Sequence, residues 1–81
     1  MEVHVGVITY GDGTVVYATT TAARLTVLLA GYCRDHWAER FADMIDAPDT
    51  VPTDDDECVA DYFEDHPTEF LEFREAVEVH T

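Results

Sequence analysis

The residues with the clearest chemical potential are a cysteine and a histidine one helical turn apart, Cys33 and His36. Thiolate and imidazole are zinc ligands, and a thiol beside an imidazole is also a nucleophile pair. Cys58 and His66 follow only at wide spacing, whereas structural zinc sites usually offer two close pairs of ligands. Cys33 and His36 also share the apolar side of a predicted helix. We therefore favour packing in the core and expect neither a metal site nor a cofactor.

Two further motifs carry polar groups of interest. The run Glu64-Asp65-His66 has the composition of an acid–base trio, but a histidine just before a proline is better explained as the end of a helix. The run Gly11-Asp12-Gly13 is too short to cradle a phosphate, and a hairpin turn explains its glycines. We therefore predict that the chain is not an enzyme.

Charge is the dominant property of the chain, which has 81 residues, 18 Asp and Glu, 4 Lys and Arg, and a formal net charge of -14. Its apolar content of 47% is ordinary for a folded protein, and its length predicts a single domain over residues 1–81. Phosphate contacts need Lys and Arg, so direct binding to nucleic acid or anionic lipid is nearly excluded. Two cysteines without a signal peptide or a long apolar run predict a cytoplasmic protein with reduced thiols.

Hydrophobic periodicity predicts the elements that position these groups. Residues 3–10 alternate, with the valines at 3, 5 and 7 on one side, and a glycine turn leads into a second strand over 14–19. A period of three to four residues then predicts one long helix, from an N-cap at Thr20 or Thr21 to near Asp46. A second helix follows Pro52, with Thr53 as its N-cap.

The last segment, residues 69–79, is ambiguous between a strand and a helix. As a strand it places Leu71, Phe73 and Val77 on one face, and we favour this alternative. The predicted fold class is therefore α+β in the order ββααβ, a small antiparallel sheet with two helices packed on one face.

Acidic residues recur at helical spacing along both predicted helices, and four of the resulting pairs are like charges four residues apart. Such pairs cost about 0.2–0.5 kcal/mol each, so local stability does not explain them. We predict that these carboxylates bind a partner as phosphate surrogates. The set is Asp54, Asp55, Asp56, Glu57, Asp61, Glu64 and Asp65 on the second helix, with Asp35, Glu39, Asp43 and Asp46 on the long helix as second choice.

Several short motifs follow one another in a recognisable order, namely Gly13-Thr14, Val16-Tyr17 and Thr19, then Arg34 and Trp37, then Pro48-Asp49 with Pro52, then Tyr62-Phe63-Glu64. In this pattern the chain resembles small acidic proteins encoded by bacteriophages and prophages, among which are anti-CRISPR inhibitors. The resemblance implies a stoichiometric inhibitor that needs no cofactor, some members acting as acidic decoys that block target-DNA binding by a CRISPR surveillance complex. Apart from Glu64, these motifs do not overlap the acidic residues set out above, and the resemblance implies no functional residues.

Charge and resemblance together predict a protein that binds the positively charged DNA-binding surface of a host nucleoprotein, a CRISPR effector complex, in the host cytoplasm. Two alternatives stay open. One is a small phage interaction or assembly protein whose acidity serves solubility, and the other is a salt-adapted cytoplasmic protein without DNA mimicry. Because the core is small, a homodimer also stays open as an alternative. Tyr10, Tyr17 and Tyr62 are candidates for an interface.

Overall fold

The computed structural model describes residues 1–42, 51–64 and 66–79. They form a three-stranded antiparallel sheet covered by helices, which confirms the predicted α+β class. The elements in chain order are β1 (Glu2–Tyr10), β2 (Gly13–Thr19), α1 (Ala22–Asp35), α2 (Trp37–Phe41), α3 (Asp55–Phe63) and β3 (Glu69–Glu78).

The strands are arranged in the order β2-β1-β3, with β1 in the centre. Strands β1 and β2 form the predicted hairpin, in which Gly11 takes a positive φ of 41° that other residues adopt only with strain. Strand β3 pairs with β1, so the strand interpretation of residues 69–79 is confirmed over the helical one.

A register shift between β1 and β3 changes which β3 side chains share a face. Val7 pairs with Phe73, whereas its neighbour Ile8 pairs with Leu71, so Glu72 is an extra residue at a β-bulge. The prediction that Leu71 and Phe73 lie on the same face of the strand is therefore wrong. Leu71 packs on the core, and Phe73 lies on the opposite side with Val7.

The predicted long helix is two helices, because His36 breaks it. Thr21 caps α1 as expected, with its Oγ1 accepting the backbone N–H of Arg24 at 3.1 Å. At His36 the backbone leaves the helical region, and both the N–H and the ring Nδ1 of this residue approach the Tyr32 carbonyl, at 3.2 and 2.9 Å. A side chain that competes for a backbone carbonyl in this way favours a helix end. The chain then re-enters a helix at Trp37, whose ring is buried.

Helix α3 begins one residue later than predicted. Its N-cap is Asp54, whose Oδ1 accepts the backbone N–H of Glu57 at 2.9 Å. The prediction of Thr53 as the N-cap is therefore wrong. An aspartate at this position adds negative charge at the positive end of the helix dipole, which favours it over threonine.

One hydrophobic core lies between the helices and the sheet. Helix α1 comes close to β1 at Gly6, where an added Cβ would lie 3.1 Å from methyl carbons of both Leu25 and Leu29. Helix α3 lies beside α1 and runs in the same direction, since its end packs near Tyr32 and Trp37. The buried core residues are Ile8, Leu25, Leu29, Ala30, Tyr32, Cys33, Trp37, Cys58, Val59 and Tyr62.

The helices cover one side of the sheet, here called the inner face, and leave the other side, the outer face, open. Pairing register and alternation place the following residues on the outer face: Val3, Val5, Val7, Thr9, Thr14, Val16, Ala18, Phe70, Glu72, Phe73, Glu75 and Val77. The alternating valines of β1 therefore point away from the core. Val16 is 61% exposed and Phe70 is 51% exposed.

Candidate functional site

Three of the four arginines hold α3 against the rest of the molecule. At the start of the helix, Nη1 of Arg34 pairs with Oδ1 of Asp55 at 2.7 Å. Nη2 of the same arginine donates to the carbonyls of Pro52 and Thr53 at 3.3 and 3.2 Å. The guanidinium of α1 thereby fixes both the chain that enters α3 and its first turn.

A second arginine reaches α3 from the sheet. Arg74 on β3 points to the inner face, where its Nη2 donates to Oδ1 of Asp56 at 2.9 Å and to Oγ1 of Thr26 at 2.6 Å. This side chain joins β3, α1 and the first turn of α3 at one point.

The third arginine lies at the other end of α3. Nε and Nη2 of Arg40 each donate at 3.1 Å, to the carbonyls of Tyr62 and Glu64 respectively. These are carbonyls that the helix itself leaves without partners, and a cation is favourable beside them because the helix dipole is negative there. Its guanidinium also lies over the ring of Phe41, 4.8 Å from the centroid.

The three consecutive aspartates at the start of α3 are therefore engaged within the chain. Asp54 caps the helix, Asp55 pairs with Arg34 and Asp56 pairs with Arg74. The sequence predicts all three as partner-binding residues, and the structure gives each of them an internal role. A carboxylate that already accepts such bonds interacts less strongly with an external cation.

The remaining described acids of this segment, Glu57, Asp61 and Glu64, differ from the first three. Within the described ranges no ion pair joins any of them to a cation. Glu57 and Glu64 are exposed and Asp61 is half-buried. At about 1.5 Å rise per residue, Glu57 and Asp61 lie roughly 6 Å apart along one side of α3. We call these three residues the acidic side of α3.

The predicted stripe on the long helix does not stay together. Asp35 ends α1 and lies near Tyr17 of β2, where burial and then the Asp35 charge raise the pKa of the phenol. Glu39 lies on α2, beyond the break, and borders a cleft with Tyr62 and His66 near the end of α3. The other three predicted positions, Asp43, Asp46 and Asp65, lie outside the described residues.

The sequence alone gives no sign of a polar cluster in the core, centred on Glu69. Its Oε1 accepts hydrogen bonds from the hydroxyls of Tyr32 at 2.6 Å and Tyr62 at 2.9 Å. Burial alone would raise the pKa of Glu69, but the two phenol donors hold it below its ordinary value. Tyr62 is fully buried, so the expectation that it serves an interface is wrong. In the sequence, Glu69 is visible only as an acid at the start of a strand. Acids are common at exposed strand positions, so this does not indicate a cluster.

His66 completes this cluster. Its Nδ1 accepts the backbone N–H groups of Thr68 and Glu69 at 3.2 and 3.1 Å, which requires the tautomer with the proton on Nε2. That Nε2 is shielded from solvent and lies 3.5 Å from Oε2 of Glu69. Burial, and then the charge of Arg40, lower the pKa of the imidazole. These bonds give His66 the structural role of closing the turn into β3.

Cys33 lies in the core, and the half-buried His36 packs on a core tyrosine. Cys33 and Cys58 are fully buried free thiols, which confirms core packing for Cys33. The ring of His36 stacks on that of Tyr32 with centroids 4.4 Å apart. In the described part of the chain, no three His, Cys, Asp or Glu side chains converge as metal ligands.

Comparisons with protein-family models, with curated proteins and with solved structures find no match to this chain. Each helix in the described ranges is too short or too polar to cross a membrane.

Proposed function

We propose that the chain inhibits a nucleic-acid-binding protein by presenting the acidic side of α3 to the basic groove of its target. The proposal rests on one observation: three of the four arginines serve internal contacts, while Glu57, Asp61 and Glu64 have no ion-pair partner among the described residues. These carboxylates are therefore available to replace DNA phosphates.

Electrostatics supports binding to a basic surface. The net charge of -14 attracts a groove lined by Arg and Lys over a Debye length of about 8 Å, and low-dielectric groove walls strengthen that field. Charged and bidentate hydrogen bonds from guanidinium groups then fix the orientation of the complex. Association should therefore weaken as salt concentration rises.

The attachment of α3 supports the same role. Arg34 and Arg74 hold its first turn, and Arg40 holds its last carbonyls. A helix fixed at both ends presents its carboxylates in a constant geometry, so little conformational entropy is lost on binding. The structural bonds of Asp55 and Asp56 thus serve the site indirectly, by positioning the residues that follow them.

The acidic side of α3 does not by itself identify the target. The acidic side of α3 suits any protein with a basic nucleic-acid groove, and the resemblance to phage-encoded inhibitors favours a CRISPR effector complex in the host cytoplasm. The proposed mechanism is steric and electrostatic occlusion at one-to-one stoichiometry, with no bond made or broken.

The test is a target-DNA binding assay with a purified CRISPR surveillance complex and increasing amounts of the chain. We expect wild type to block DNA binding, and Asp61→Asn with Glu64→Gln to weaken inhibition by about tenfold or more. The control variant, Glu2→Gln with Asp12→Asn, removes the same number of charges from β1 and the hairpin turn after it, outside the acidic side of α3, and should inhibit as wild type does.

A salt series separates this proposal from its rival. Inhibition should fall between about 50 and 300 mM salt if carboxylates replace phosphates. Lack of inhibition by wild type, or equal loss in both variants, would contradict the proposal. Binding that survives high salt would instead favour an interaction or assembly protein whose acidity serves solubility.

A further inference from the structure

Strand β3 has an unusual distribution of polar and apolar side chains. Glu69 and Arg74 point to the inner face, where tyrosines, Thr26 and Asp56 satisfy them. Phe70, Phe73 and Val77 point to the outer face and are 51%, 37% and 39% exposed. A strand whose outer face stays in water normally shows the reverse pattern.

The other two strands extend this apolar surface. Val7 of β1 lies between Val16 on one side and Phe73 on the other, so one continuous row crosses all three strands. Only two acids share this face, Glu72 and Glu75, and both belong to an edge strand. Oε1 of Glu72 already accepts the Thr9 hydroxyl at 3.1 Å. Within the described residues the outer face is therefore mainly apolar, with its two acids confined to one edge strand.

We propose that a second copy of the chain covers the outer face, by packing sheet against sheet about a twofold axis. The product is a four-layer particle with helices outside and two sheets within. An apolar surface of this kind is self-complementary, as a twofold interface requires. A basic partner, in contrast, would gain its attraction from the helical side, where the acidic side of α3 lies.

Charge repulsion between the helical layers of the two copies does not oppose this arrangement. Packed sheets lie about 10 Å apart, and each helical layer lies about 10 Å further out, so the two acidic layers are separated by roughly 30 Å. That distance is several Debye lengths at physiological salt, so the layers are screened from one another. A helix-to-helix dimer would bring the same charges into contact.

The available area is sufficient for a specific dimer. Strands of 9, 7 and 10 residues, at about 3.3 Å per residue and 4.8 Å between strands, form a face of roughly 30 by 14 Å. Pairing two such faces buries on the order of 1,000 Å² of accessible surface, which is the lower limit of a stable interface. A domain of this size buries only about 60% of its unfolded surface, so the added burial is a substantial gain.

The experiment is sedimentation velocity on the full chain from about 1 to 200 µM, a range that covers micromolar dimers. We expect wild type to reach twice the 9.1 kDa monomer mass. Val16→Glu should weaken dimerisation by at least about tenfold, because it places a carboxylate in the centre of the buried row. Val16 is largely exposed in the monomer, so this variant should keep its fold, and far-ultraviolet circular dichroism checks this.

The matched control is Val27→Glu. Val27 is 47% exposed and lies on α1, away from the outer face. The substitution adds the same negative charge there, so this variant should dimerise as wild type does. Phe70→Ser provides a second outer-face variant without added charge. A monomeric wild type at the highest concentration would overturn the proposal and leave the face to a different partner. Equal dimerisation of Val16→Glu and wild type would also overturn it.

The proposal is independent of the proposed inhibitor function. Asp61→Asn with Glu64→Gln should dimerise normally, whereas Val16→Glu should keep the acidic side of α3 intact. Failure of one proposal is therefore distinguishable from failure of the other.

Discussion

The two faces of the sheet differ in a way that composition does not reveal. The inner face carries Glu69 and Arg74 as well as apolar groups, and every one of these charges has partners within the chain. The outer face carries valines and phenylalanines that meet nothing within the described chain beyond their neighbours on the sheet. Charge near the core thus supports the fold, while the apolar side chains of the outer face contact only each other across the strands of the described residues.

The helical layer shows the same division among its acids. Asp55 and Asp56 form ion pairs that hold α3, whereas Glu57, the next residue, and Asp61, one turn after Glu57, form none within the described residues. Proximity to Arg34 or Arg74, and not membership of an acidic run in the sequence, separates the paired carboxylates from the others.

The largest difference between the two faces should appear on truncation to alanine. Ile8→Ala removes a fully buried inner-face side chain and should lower the free energy of unfolding by about 2–5 kcal/mol. Val16→Ala on the outer face should change it by no more than about 0.5 kcal/mol. Urea denaturation at a concentration where the chain is monomeric measures both. Similar losses would show that the outer face is already covered within the monomer.

Acid should act on the inner face, at Glu69 and His66. Both have a pKa lowered by the fold, so the unfolded chain binds protons more readily than the native chain. Their contribution to stability is therefore complete above the ordinary histidine pKa of 6.5 and is lost as the pH falls, first through His66 and then through Glu69. Thermal melts between about pH 7.5 and 4 should show a falling melting temperature.

The variant His66→Asn tests the first part of this acid effect. Its side-chain oxygen can still accept the N–H groups of Thr68 and Glu69 but does not titrate, so the profile should flatten between about pH 6.5 and 5. Glu72→Gln provides the control on the outer face. An unchanged slope in His66→Asn would assign the acid sensitivity to other groups.

The smallest expected effect concerns two glycines. An added Cβ at Gly31 meets nothing within 4 Å, so Gly31→Ala in the middle of α1 should raise the free energy of unfolding by about 0.5–1 kcal/mol. Gly6→Ala is the inner-face counterpart and should destabilise, because its Cβ would press on Leu25 and Leu29 at 3.1 Å. Thermal melts of both variants check the opposite signs, and destabilisation by Gly31→Ala would contradict the open space around it.

Local patterns in the sequence predict most of the fold. The glycine turn and the Thr21 cap are visible as short-range signals, and the structure confirms them. For residues 69–79 the pattern only favours a strand over a helix, and the structure confirms the strand. The break at His36 is not visible, because apolar residues continue at helical spacing on both sides of it. The bulge at Glu72 is equally hidden, since it depends on pairing with β1 and reverses the side on which Leu71 lies.

The candidate site is predictable only in outline. Spacing identifies α3 as an acidic helix, but the arginines that engage Asp55 and Asp56 come from α1 and β3, far away in sequence. The cluster of Glu69, Tyr32 and Tyr62 likewise joins a strand to two helices. Contacts of this kind depend on tertiary packing, and hydrophobic periodicity along the sequence does not predict them.

The two cysteines have a practical consequence. Cys33 on α1 and Cys58 on α3 are both fully buried in the core. Burial, and then the neighbouring Cys58 thiol, raise the pKa of Cys33 to about 12. Thiolate is the species that alkylating reagents attack, so neither group reacts while the two helices stay packed. Modification requires the helices to separate, and its rate therefore reports how often α3 leaves its arginine contacts. The chain thus contains its own chemical probe for local opening, with no label to introduce.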